Sequence, residues 1–229
     1  MSGMGNPLLI AVIIGWIMSV CVHEYCHALA AYLAGDRSVS ARGYLSMNPL
    51  LYLDPVMSVL IPLLALYFGG IPLPGGAVQI DRLALRKRWY ASLVSAAGPA
   101  SNFMLFLVCA AVIHPKVGLV DWLEPVGDWP VWAVFAGTMA VLQVFALLLN
   151  LLPIPPLDGF YIIEPYLTAS SRERLMSPGA AMVGLAFVFF GFELIPGLMN
   201  GFVRAIAAVF GFVGIPAGEA LECYFITFS

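Results

Sequence analysis

The sequence predicts an all-α, polytopic membrane protein with about five to six hydrophobic segments. Two observations carry that reading. The chain of 229 residues is 62% hydrophobic and only 10% charged, where soluble domains run near a quarter charged, and its mean hydropathy is +0.95. Apolar runs close to the roughly 20 residues needed to cross a bilayer also recur along it. The net charge of -3 comes with no large basic block, so the lipid bilayer is an expected partner and nucleic acid is not.

The first apolar run is Leu8 to Leu33. The opening "MSGMGNPLL" lacks a basic n-region, and no small-residue cleavage site follows, so the run reads as a retained helix rather than a signal peptide. The second, Leu50 to Phe68, is interrupted by Pro62. The third spans about Ala91 to Ile113 and the fourth Val131 to Leu152. Two shorter runs follow, about Met182 to Ile195 and Phe202 to Val213, separated by "PGLMNG". Arg204 lies in the last of them, where a long side chain can snorkel to the interface. The whole is expected to form one transmembrane domain, 1–229, with a core at about 8–165 and C-terminal hydrophobic segments at about 176–215. Cys21, Cys26, Cys109 and Cys223 show no paired spacing and read as buried thiols.

Lys and Arg near the span ends set orientation. Arg37 and Arg42 follow the first span, Arg82, Arg86, Lys87 and Arg88 precede the third, and Arg172 and Arg174 follow the fourth. The loop after the third span holds Asp121, Glu124 and Asp128 against Lys116. The N-terminus is therefore expected outside and the end of the first span in the cytosol. Both flanks of Leu50 to Phe68 then face the cytosol. That segment must be re-entrant, or "GGIPLPGGAVQI" (69–80) must thread back. Irregular backbone at membrane depth needs protein or a water-filled cavity around it, so a cavity is expected.

The first span contains "VCVHEYCHALAAYLAG". Residues four apart share a helix face, so His23 and His27 can address one ion, with Glu24 close enough to reach a water on it. This H-E-x-x-H spacing is that of two zinc-binding imidazoles and a general base. Two histidines satisfied by carbonyls would be the bland explanation. Three ionisable groups on one stripe inside lipid are costly enough to favour function. At the helical rise, Glu24 lies about 24 Å from Leu8, which puts the site nearer the cytosolic side.

A catalytic zinc takes three protein ligands. Cys26, about 60° off the His23 direction, Asp54 and Glu164 are options for the third. Asp158 is the best placed, in "NLLPIPPLDGF". There the prolines preclude a regular helix interior and an unwound segment could present the carboxylate, although Asp-Gly is also common in plain turns. His114, before Pro115, reads as interfacial, and Trp89, Tyr90, Trp129 and Trp132 as an aromatic belt.

"HEYCH" in a first span, "AAGPASNF" opening a later one and "NLLPIPPLDG" ending the next together resemble the site-2 protease family of intramembrane zinc metalloproteases. The order "SMNPLLYLDPV", "GGAVQI", "AAGPASNF" looks most like its compact bacterial-type branch without a PDZ or CBS domain. The resemblance covers about residues 8 to 165. It implies one Zn2+ per chain held by His23, His27 and Asp158, with Glu24 activating water. Asn150, Pro153 and Pro155 would seat the substrate, with Asn102 near the cleft. Gly76, Ala77 and Val78 would belong to a short β-strand beside the site that receives the substrate as an added strand. The implied partner is a transmembrane protein or peptide substrate, with room for a regulatory membrane protein, and the implied location a bacterial plasma membrane. The rival reading is a metal-ion or proton transporter using His23, Glu24, His27, Asp54 and Asp158 as a relay. The absence of a visible internal repeat in the sequence weighs against it.

Overall fold

A computed structural model describes residues 5–52, 78–195 and 197–228. Among them, regular structure is entirely helical. The longer helices are α1 (Gly5–Ala34), α2 (Tyr90–Ile113), α3 (Val131–Asn150), α4 (Asp158–Ile163), α5 (Ala169–Leu175), α6 (Pro178–Leu194), α7 (Leu198–Phe212) and α8 (Ala217–Phe228). Three of them, α1, α2 and α3, are long and apolar enough to cross a membrane. On α1, Ile10, Ile13, Ile14, Ile17 and Met18 are exposed, as suits a helix whose solvent is hydrocarbon. The two shorter runs do form helices, α6 of 17 residues and α7 of 15, which is below the usual crossing length of about 20. Most of the expected second segment, Asp54 and Pro62 included, lies outside the described residues, as do Gly76 and Ala77. So does most of the expected strand: of "GGAVQI" only Val78, Gln79 and Ile80 are described, and they form no ladder.

The chain divides into two compact units. The first comprises Met1–Ser19, Asn102–Leu148 and Asn200–Ser229. Aromatic rings fill it: Phe106 meets Phe210 edge-on with centroids 5.2 Å apart, and Phe145 meets Phe202 at 5.2 Å. On α7, Phe202, Ile206 and Phe210 are buried at four-residue spacing while Arg204 is exposed, so this charge costs the core nothing. Helix α8 has no counterpart among the expected hydrophobic segments. Its buried Ala220, Cys223 and Thr227 form a stripe too narrow, in a helix carrying Glu219 and Glu222, to stand out as an apolar run. Thr138 Oγ1 secures it by donating to the Cys223 carbonyl at 2.9 Å. His114, expected at the interface, is held by hydrogen bonds through both ring nitrogens. Its Nε2–H donates to the Val213 carbonyl at 3.0 Å, and Nδ1 accepts the Lys116 amide.

The second unit comprises Val20–Ser101 and Leu149–Met199. Its core gathers Ala28, Ala31 and Ala34 of α1 with Val39 and Val94, and the alternate residues Val78 and Ile80 pack against them. Gly35 stops α1: its φ of +128° suits glycine, and a Cβ there would lie 2.8 Å from the Ala84 carbonyl oxygen. The next residue, Asp36, is fully buried. Its carboxylate accepts from the Ser38 amide at 2.9 Å, the Ser38 hydroxyl at 2.6 Å and the Asp81 amide at 2.8 Å. It therefore ties the end of α1 to the segment leading into α2. We predict that Asp36→Ala, which strands those donors, lowers stability by about 2 kcal/mol. Thermal unfolding in detergent tests this, and an unchanged midpoint would mean the anchor is dispensable.

Candidate metal centre

Each side chain of the site is positioned by a different local device. His23 and His27 project from one face of α1, four residues apart. Both are buried, as is Glu24 between them in sequence. The Val94 carbonyl of α2 accepts a hydrogen bond from His27 Nδ1 at 2.7 Å. A carbonyl can only accept, so Nδ1 carries the proton and Nε2 presents a lone pair. Pro99 has no N–H, so the Ser95 carbonyl four residues earlier in α2 lacks its usual helical donor. Gly98, just before it, lies directly beneath the imidazoles. A Cβ there would come within 2.2 Å of His27 Nε2 and 2.5 Å of His23 Nε2.

Asp158 arrives by a different route. After α3 ends at Asn150, the proline-rich stretch makes only isolated turns, such as Ile154 N–H to the Leu152 carbonyl at 2.8 Å and Leu157 N–H to the Ile154 carbonyl at 2.8 Å. The chain re-enters a helix at Asp158, the first residue of α4. Gly159 permits this because a Cβ there would sit 2.3 Å from the Leu151 carbonyl oxygen. Asp158 Oδ2 lies 3.1 Å from His23 Nε2 and Oδ1 lies 3.3 Å from His27 Nε2. Burial raises the Asp158 carboxyl, whereas positive charge on the imidazole side, at His27 above all, would hold it well below the ordinary carboxylate range.

The donor atoms of His23, His27 and Asp158 all lie within 4.8 Å of one another. The two Nε2 atoms are 3.1 Å apart, so the His27 lone pair points into the space that His23 and Asp158 also face. Asp158 Oδ2 is buried and, despite its closeness to His23, accepts no hydrogen bond. Two imidazole nitrogens and an ionised carboxylate oxygen form a donor set suited to zinc, so the residues fit that ion.

Among the described residues, the other proposed ligands fall away from this cluster. Glu164 has both oxygens engaged: Oε2 lies 2.6 Å from Arg82 Nη1 and Oε1 2.6 Å from Arg172 Nε. Cys26 is half-buried and not among the converging donors. Asp54 lies outside the described residues. Glu24 stands beside the cluster with one oxygen, Oε2, accepting the Val78 amide at 3.1 Å. Asn150 is half-buried at the end of α3, Pro155 is buried and Pro153 exposed. Asn102 belongs to the first unit, where its Nδ2 donates to Gln143 Oε1 at 2.8 Å. The sequence reading missed the Val94 carbonyl and the bare backbone of Gly98. A glycine preceding a proline inside an apolar span was the available signal for the second.

The sequence profile of Peptidase family M50 matches residues 11–124. The protein assigned as zinc metalloprotease Rip2 of Mycolicibacterium smegmatis is 39% identical over 211 residues, covering 91% of this chain and 76% of its own. Its namesake in Mycobacterium tuberculosis is 37% identical over 213 residues, with the same coverage. The chain belongs to peptidase family M50. This M50 peptidase is also 33% identical over 172 residues to the protein assigned as zinc metalloprotease YwhC of Bacillus subtilis, covering 71% of this chain and 72% of that one. No solved structure matches it. The matched profile includes His23, Glu24 and His27 but ends before Asp158, so the place of Asp158 beside the imidazoles rests on the geometry. Family membership and three apolar helices together make it a membrane protein.

Proposed function

We propose that this chain is an intramembrane zinc metalloprotease that hydrolyses a peptide bond within or next to a transmembrane helix of a membrane-protein substrate. The observation that carries the reading is the convergence of His23, His27 and Asp158 beside Glu24, with the two histidines and the glutamate on a helix long and apolar enough to span lipid. The names of the M50 relatives as zinc metalloproteases support the metal and the reaction class. The protein is multi-pass, with its N-terminus external, the site nearer the cytosolic side, and the bacterial plasma membrane as its location. Residues 1–229 act as a single protease domain.

His23, His27 and Asp158 hold the zinc. When bound, zinc supplies a Lewis acid for the scissile carbonyl and a water acidified to a pKa near about 7. Glu24 takes the water's proton on the carboxylate oxygen not bonded to Val78 and delivers it to the leaving amine. A helical substrate must first unwind, because its carbonyls are engaged in internal hydrogen bonds. The segment containing Val78 offers it backbone pairing in exchange. Asn150 holds a freed carbonyl, and Pro153 and Pro155 keep the neighbouring chain open.

Elemental analysis of detergent-purified protein tests the site. About one zinc per chain is expected in the wild type, falling to a small fraction in Asp158→Ala, since three-ligand sites tolerate loss of a ligand poorly. A wild type that takes up no zinc after resupply would overturn the reading in favour of a proton relay.

A further inference from the structure

Glu164 is a buried carboxylate with an arginine on each oxygen, and neither the metal centre nor the proton transfer described above uses it. A buried ion pair is a costly way to fill space, and apolar packing would serve as well. Its worth lies in fixing direction. Glu164 follows α4 directly, one helix length from Asp158. Arg82 also lies over the Tyr161 ring of α4, its Cζ 4.6 Å from the centroid. Just before Arg82, the chain is anchored at and beyond the end of α1: Val78 N–H donates to Glu24, and Asp81 N–H to the Asp36 carboxylate at 2.8 Å. Arg172 of α5 grips the second oxygen.

We infer that the Arg82–Glu164–Arg172 bridge is a positioning device for the metal centre, holding Asp158 at the right approach to His23 and His27 by locking α4 to the segment that carries Val78. Glu164 and Arg82 are positioning residues and touch neither metal nor substrate. The inference rests on the metal-binding reading and adds a distant determinant to it. The bridge acts at the far end of α4, so loosening it lets Asp158 swing while both imidazoles stay fixed on α1.

Cobalt(II) is the probe, because its visible absorption reports ligand number and geometry. Wild type, Glu164→Gln and Arg82→Met are loaded with Co2+, their spectra recorded, and zinc affinity measured by competition with a chelator. Helical circular dichroism is followed in parallel. The expected result is a changed cobalt spectrum and a zinc affinity about tenfold weaker in each variant, in the range found for residues that orient ligands, with wild-type helicity. The double variant Arg82→Met/Glu164→Gln should lose little more than either single one. Arg82→Lys, which keeps the charge, should recover part of the affinity. Wild-type spectra and affinity in Glu164→Gln would overturn the positioning role while leaving the metal site standing. Loss of affinity only in step with loss of helicity would also overturn it. A wild type that binds neither cobalt nor zinc would instead bring down the metal-binding reading itself.

Discussion

Glu24→Gln should keep its zinc and lose cleavage by about 10²- to 10⁴-fold, the usual worth of a general base. The substitution is conservative in shape. A glutamine can still accept the Val78 amide through its carboxamide oxygen, as Glu24 Oε2 does at 3.1 Å, so the side chain should stay in place. What it cannot do is take a proton on its other terminal atom. The ligands His23, His27 and Asp158 are untouched, which separates proton transfer from metal binding. The check is single-turnover cleavage of a transmembrane peptide that the wild type cuts, alongside zinc content. Wild-type turnover in this variant would remove Glu24 from the mechanism.

Gly98→Ala should abolish metal binding although the glycine is not a ligand. Its Cβ would lie 2.2 Å from His27 Nε2 and 2.5 Å from His23 Nε2, far inside contact distance. The imidazoles cannot simply step aside, because Val94 holds His27 through Nδ1 at 2.7 Å and rotation would turn its Nε2 away from Asp158. We expect zinc per chain to fall at least about tenfold, the scale on which mis-set ligand orientation is felt. Gly211→Ala is the control, since a Cβ on that α7 glycine meets nothing within 4 Å. Full zinc occupancy in Gly98→Ala would show that α2 gives way instead.

The two expectations differ in where they come from. Glu24 could be named from spacing, because a helix converts positions 23, 24 and 27 into one face with no further information. Gly98 could not. Its importance depends on which part of α2 approaches α1, a matter of packing between segments some seventy residues apart. Glu164 shows the converse. As an acidic residue near the second motif it was a reasonable ligand option, and only the presence of Arg82 and Arg172 on its two oxygens removes it.

The sequence alone determined the solvent of this protein, its all-α class, the paired histidines with their glutamate, and the family they resemble. The solvent, the helical class and the paired histidines are written in composition and short-range periodicity, and the resemblance rests on the motifs themselves. The proline-rich approach to Asp158 was also legible, because proline forbids a helix wherever the rest of the chain lies. The sequence put Asp158 ahead of Glu164 and Cys26 as the third ligand option, and the tertiary structure supplied its contact with the imidazoles. It also decided that Val78 meets Glu24 and that Asp36 anchors the end of α1. Helix α8, recognisable only by its buried stripe, emerged there too. Each of these is a contact across long sequence separation, where a carboxylate's partner depends on direction and distance, and no local pattern encodes either.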